Sequence, residues 1–199
     1  MILCVTGPMA AGKNAASDIL AQKGFFTLDA DLLVHQAVES QKSAILEAFA
    51  EEAKAMGLSL TRSDGSIDRR ALGTIVFNNP QNVERQEAIV YPEINRRFED
   101  FLQEHKGKDC AINATVLFKV PVMQQMDAVL YIDAPRLIRL VRIKKRDNLP
   151  LKNICKRFRA QKNLFSKYRL ANADTRRVWN LGTRQHLEKK IEQFLASRR

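Results

Sequence analysis

The chain has no apolar run approaching the roughly 18 residues that span a bilayer, which argues against a membrane protein. It has three cysteines, Cys4, Cys110 and Cys155, an odd number without metal-ligand spacing. They read as reduced, mostly buried thiols of a cytoplasmic protein. No internal repeat, low-complexity tract or Gly/Ser-rich linker divides the sequence, so its 199 residues read as one domain with insertions. The first residues already form a strand pattern leading into a loop, and no signal or transit peptide is expected. Acidic residues are scarce at one end only. Residues 136–199 hold 4 Asp/Glu against 20 Lys/Arg, a net of +16, whereas residues 1–135 hold 18 against 13, a net of −5. A cationic block of this kind suits nucleic acid or a polyphosphorylated small molecule. No recognition-helix or zinc motif accompanies it, and its basic residues are not interleaved with aromatics as a stacking platform requires. These absences favour the small molecule.

What is present begins at residue 1. Met1–Thr6 is a short apolar run of strand type, followed by Gly7-Pro8-Met9-Ala10-Ala11-Gly12-Lys13 and a helical pattern from Asn14 to Lys23. Strand, G-x-x-x-x-G-K and helix together describe a phosphate-binding loop. Such a loop turns successive N–H groups toward phosphate oxygens, which needs backbone angles that glycine supplies. Lys13 then reaches the β/γ-phosphates, and the helix offers its positive end. Asn14 stands where this motif has Ser or Thr to place a hydroxyl on Mg²⁺. An amide oxygen can also ligate a hard cation, directly or through water. The alternative is a neutral first-turn residue.

Further along, Phe25–Leu28 reads as a second strand, ending in Asp29-Ala30-Asp31. Carboxylates at a strand's carboxyl end can accept a hydroxyl proton or hold Mg²⁺ through water. Asp29 suits helix capping better, and Asp31 function. Helices are expected over 43–56 and from about 68 to 105, the latter broken at Asn79-Pro80 and Tyr91-Pro92. Strands are expected over 109–118 and 127–132. A basic helix from Arg136, broken at Asn148–Pro150, leads to a second reaching about Tyr168. Arg177–Asn180 is a last short strand, and Thr183–Ala196 a closing helix with Leu187, Ile191, Phe194 and Leu195 on one face.

In this order the motifs resemble the dephospho-CoA kinase family. Its D-A-D is matched by Asp29-Ala30-Asp31, and its D-G-x-I-D-R-x-x-L by Asp64–Leu72. Val76-Phe77 and Tyr91-Pro92-Glu93-Ile94 follow, then Pro135 with Arg142 and Arg146. Arg157, Gln161, Lys167, Ala173-Asp174 and Asn180 complete the set. The chain departs from the pattern at Asn14, at Tyr91 where the family has His, and at Lys119 where it has an acid.

The resemblance implies an α/β, three-layer P-loop kinase fold with a mostly parallel five-stranded sheet. Residues 1–60, 106–138 and 170–199 would form the core, 61–105 a helical acceptor-binding insertion and 139–168 a basic lid. It implies ATP and Mg²⁺ as cofactors and phosphorylation of the 3′-hydroxyl of dephospho-CoA, the last step of coenzyme A synthesis. ATP would lie on Gly7, Pro8, Met9, Ala10, Ala11, Gly12, Lys13, Asn14 and Ala15, with Arg142 and Arg146 from the lid and Asn180 at the adenine edge. Lys13, Asp31 and Arg142 would carry catalysis, Asp31 as base, and Asn14 would face the metal. Asp31, Arg69 and Tyr91 would bind the acceptor. No nucleic-acid or membrane partner is expected, and a monomer is favoured. The alternatives are another small-molecule or nucleotide P-loop kinase, and a catalytically impaired nucleotide-binding regulator.

Overall fold

The computed structural model describes residues 1–147, 150–172 and 174–198. The expected break at Asn148 and the Ala173 of the Ala-Asp pair lie outside them. By compactness the chain divides into two units, Met1–Ala30 with Phe101–Arg199, and Asp31–Asp100.

The first unit is built on five parallel strands: β1 (Ile2–Thr6), β2 (Phe26–Asp29), β3 (Cys110–Asn113), β4 (Ala128–Asp133) and β5 (Thr175–Trp179). Their order in the sheet is β2-β3-β1-β4-β5. β1 is central, and its residues Leu3, Cys4 and Val5 are fully buried. A strand covered on both faces must be apolar throughout, which is why this stretch shows no alternation. On one face, α1 (Lys13–Gln22) and α10 (Arg184–Ala196) pack Ala16, Ile19, Leu20, Leu187, Ile191 and Phe194 against Val5, Leu130 and Ile132. The apolar positions expected at helical spacing are those that meet the sheet.

After β4 come α7 (Arg136–Asp147), α8 (Leu151–Ala160) and α9 (Leu164–Ala171). The second basic helix expected to reach Tyr168 is thus two, interrupted at residues 161–163. Tyr168 of α9 is fully buried. Its hydroxyl accepts the Leu117 N–H at 2.9 Å, and its ring meets Tyr131 edge-on. Burial pushes the phenol above its ordinary range. The same bond explains why β3 stops at Asn113 rather than running to 118. Beyond Ala114 the chain leaves the ladder, and Leu117–Lys119 makes one 3₁₀ turn whose first N–H is satisfied by the phenol.

The second unit is helical: α2 (Ala30–Ser40), α3 (Lys42–Ala48), α4 (Ala50–Ala55), α5 (Arg69–Val76) and most of α6 (Pro80–Glu104). The single helix expected over 43–56 is split at Phe49, whose side chain is fully buried. Asp68 caps α5 by accepting the N–H groups of Arg70 and Ala71 at 2.9 and 3.1 Å. Helix α6 runs unbroken through Pro92, contrary to the expected break. Proline there removes one i→i−4 bond at a cost of about 3 kcal/mol. Burial of Val90, Ile94 and Phe98 on either side of Pro92 offsets this, at roughly 1.5–3 kcal/mol per side chain. Among the described residues no helix is long and apolar enough to cross a membrane.

Tyr168→Phe should lower the urea midpoint by the equivalent of about 1–3 kcal/mol with an unchanged slope, because it strands the buried Leu117 N–H. An unchanged midpoint would show that this bond does not hold the turn after β3.

Candidate active site

The site grows out of the carboxyl end of β1. Gly7 adopts φ 145°, and a Cβ there would run into the Ile132 carbonyl oxygen of β4. The loop must therefore pass over the neighbouring strand with no side chain. Gly12 adopts φ 109° as the N-cap of α1, and a Cβ would meet the Asn180 amide. No side chain caps α1, and no acid sits in its first turn. Its leading N–H groups and positive dipole end are thus the features that a phosphate requires. Ala10 also turns left-handed, at φ 62°, which costs a residue bearing a Cβ about 1–2 kcal/mol.

The loop is held from outside by its carbonyls. Asn180, buried just past β5, donates from Nδ2 to the Ala11 carbonyl at 2.8 Å. Its own N–H donates to the Asp133 carbonyl at 2.7 Å, which ties it to the end of β4. Arg142 of α7 donates from Nη1 to the Ala10 and Ala11 carbonyls at 3.3 and 3.2 Å. Its Nη2 lies 3.4 Å from the Asn180 carbonyl. On the near side of the loop, the Met9 N–H donates to Gln161 Oε1 at 2.9 Å. Arg157 Nη1 lies 3.5 Å from Met9 Sδ. The helices after β4 thus grip the loop at both ends.

The loop, the start of α1 and α7 border a cleft of about 350 Å³ lined by Ala10, Gly12, Lys13, Asn14, Arg142 and Arg146. All six of these belong to the expected ATP set, and Lys13, Asn14, Arg142 and Arg146 bring the polar side chains. Gly7, Pro8, Met9, Ala11 and Ala15 form the loop and first turn beside it. Arg146 is paired with Asp147 at 2.6 and 2.8 Å, and that carboxylate raises its pKa. Asn180 stands at the loop, its amide donating to Ala11. Asn14 Oδ1 accepts from Asn113 Nδ2 at 3.1 Å, at the end of β3. An amide oxygen has a second lone pair, so this bond orients Asn14 without exhausting it.

Asp31, Arg69 and Tyr91 belong to the helical unit. Asp31 lies in the first turn of α2, two residues beyond the end of β2, and is exposed. Arg69 opens α5 and is exposed. The Tyr91 hydroxyl donates to Glu87 at 2.8 Å, and burial with that carboxylate pushes it to about 12. Lys119 ends the 3₁₀ turn after β3.

Sequence reasoning named Gln161 as a motif match and gave it no place in the ATP site. The four-residue spacing from Arg157, one helical turn, was the available signal. The partnership of Asn14 with Asn113 had no local signal, because it joins residues 99 positions apart.

A family profile for dephospho-CoA kinase matches residues 1–177. A dephospho-CoA kinase of Treponema denticola is 36% identical over 202 residues, covering 100% of this chain and 90% of the relative. A crystal structure of a Thermus thermophilus protein superposes with a TM-score of 0.82 at 26% identity, covering 99% and 97% of the two chains. The dephospho-CoA kinase of Campylobacter jejuni shares the fold, with a TM-score of 0.72 at 23% identity over 100% and 98%. The chain belongs to the dephospho-CoA kinase family.

Ala10→Gly should raise stability by up to about 1 kcal/mol, the left-handed strain less the entropy of the freer unfolded chain. Urea unfolding measures this. A fall in the midpoint would show that Ala10 carries no such strain.

Proposed function

We infer that this member of the dephospho-CoA kinase family transfers the γ-phosphoryl group of ATP to the 3′-hydroxyl of dephospho-CoA, the last step of coenzyme A synthesis. The observation that carries this reading is the P-loop cavity, in which an uncapped helix start, Lys13, Arg142 and Arg146 face one space. It offers cationic donors and a helix dipole to a polyphosphate, and the family supplies the acceptor.

Phosphoryl transfer asks little covalent help of a protein; it needs in-line positioning and neutralisation of charge. The backbone from Gly7 to Ala15 holds the ATP phosphates, with Lys13 on the β and γ groups. Arg142 and Arg146 approach from α7. An arginine fork matches phosphate oxygens in pairs. Arg146 then exchanges the Asp147 carboxylate for phosphate. Asn180 supports the loop and borders the adenine edge.

The residues present fit Mg²⁺. Asn14 offers an amide oxygen that Asn113 already orients. Mg²⁺ on a nucleotide takes most of its ligands from phosphate and water, so one neutral protein oxygen is enough. Bound there, the ion would draw charge from the phosphates as a Lewis acid. Asp31 accepts the proton of the attacking hydroxyl. Arg69 and Tyr91 bind the acceptor, whose pyrophosphate suits a guanidinium. The working compartment is the cytoplasm, and the partners are ATP and dephospho-CoA.

A coupled ADP-release assay with ATP and Mg²⁺ should show turnover of dephospho-CoA and not of AMP, adenosine or shikimate, with the product confirmed by mass. Turnover of another acceptor would keep the fold and remove the acceptor assignment. Tight ATP binding without turnover would make the chain a nucleotide-binding regulator. Lys13→Ala should abolish turnover with the fold intact. Asp31→Asn should lower kcat by about 10²–10⁴, the range for losing a general base, far more than it weakens ATP binding. Loss of binding alone would make Asp31 a structural or metal group.

A further inference from the structure

A second cavity, of about 230 Å³, lies over the carboxyl ends of β4 and β5 and shares no lining residue with the P-loop cavity. Its wall carries Arg136, Arg139, Lys162 and Arg177 against one carboxylate, Asp133. That carboxylate is already engaged. Its Oδ1 accepts the Ala134 N–H at 2.8 Å, and its Oδ2 lies 3.6 Å from Arg177 Nε.

Arg139 is the telling residue. It is only 7% exposed, and its Nε and Nη1 are buried with no hydrogen-bond partner. Its guanidinium stacks on Phe158 at 4.5 Å, which contributes attraction but accepts no hydrogen bond in the guanidinium plane. Burial pulls its pKa below the ordinary arginine value, with Asp133 only partly compensating. A buried guanidinium short of acceptors is costly, and native proteins leave one where a partner of another kind completes it.

We propose that this cavity is a second anion site, which takes a small tetrahedral oxyanion of the orthophosphate class. Such an anion offers several acceptor oxygens to converging arginines and cancels much of the excess charge. The volume falls below the roughly 300–1,000 Å³ typical of sites for organic ligands, which suits a small anion. Pro8 and Gln161 also line the cavity. Gln161 accepts the Met9 N–H, so an anion here bears on the start of the P-loop through one side chain. The proposal does not rest on the acceptor assigned above.

Trp179 is the chain's single tryptophan and lines this cavity, so its fluorescence reports on the site directly. Inorganic phosphate should be titrated at ionic strength held constant with sodium chloride, into the wild type and into Lys13→Ala, in which the P-loop site has lost its lysine. A saturable change is expected in both. Arg139→Met keeps the volume and removes the donors, and should weaken binding at least about tenfold, or ~1.4 kcal/mol. Lys162→Ala alters an exposed side chain that cannot endanger folding, and should weaken it a few-fold. The proposal is overturned by the absence of a saturable change in the wild type, or by its loss in Lys13→Ala, which would place the anion on the P-loop. Unaltered binding in both Arg139→Met and Lys162→Ala would overturn it equally, whatever the outcome of the kinase assay.

Discussion

Everything at this site depends on where the carbonyls of Ala10 and Ala11 point. A loop that turns its N–H groups toward an anion must turn carbonyls away from it, and carbonyls away from water need donors. Asn180 and Arg142 supply them, from the end of β5 and from α7. The loop is therefore not a free glycine hinge. It is set by two elements that arrive more than 130 residues later in the chain. Gly12 is required for the same reason, since any side chain there would displace the Asn180 amide. The parallel sheet makes this possible by bringing the carboxyl ends of β1, β4 and β5 to one edge.

Arg142 serves this frame and faces the phosphate cavity with the same guanidinium. Its loss would be felt in loop geometry as well as in charge, so a kinetic defect at Arg142 cannot be assigned to phosphate contact alone. Arg146, one turn further on, has no such duty. Its partner is Asp147 on the surface, and exposed pairs of this kind are worth little. A polyphosphate can therefore draw Arg146 in without cost to the fold.

The sequence made the loop, the five strands and the closing helix legible because each signal is local. Glycines at fixed spacing, apolar runs and the spacing of Ile19 with Leu20 or Ile191 with Leu195 are all read within a dozen residues. What was not legible was decided at a distance. Pro92 is a helix breaker by local chemistry, and only the burial of Val90, Ile94 and Phe98 keeps α6 whole. The apolar run 114–118 reads as strand, and only a phenol from α9 turns it aside. Among the candidate residues named by motif, Lys13, Asn14, Arg142 and Arg146 line one cavity. Asn180 was also named, but its bond to Ala11 depends on β5 lying beside β4.

The charge imbalance completes the argument. The last third of the chain carries four acidic residues, and the structure engages every one of them. Asp147 holds Arg146, Asp174 holds Arg198, and Glu188 and Glu192 hold Lys23 of the first third. From β4, Asp133 serves Arg177. Apart from Asp147 on Arg146, no acid of that segment pairs with a cation lining either cavity among the described residues. Exposed lysines and arginines meet solvent and need no partner, but Arg139 is shut away from water. Such an excess, placed around concave surfaces, lowers the free energy of any anion that enters. The P-loop cavity has this character, which suits the phosphates of ATP, and so does the smaller cavity over the ends of β4 and β5. Gln161 lines the second cavity and accepts the Met9 N–H at the start of the loop, so an anion bound there would bear on how the loop is held to the helices after β4.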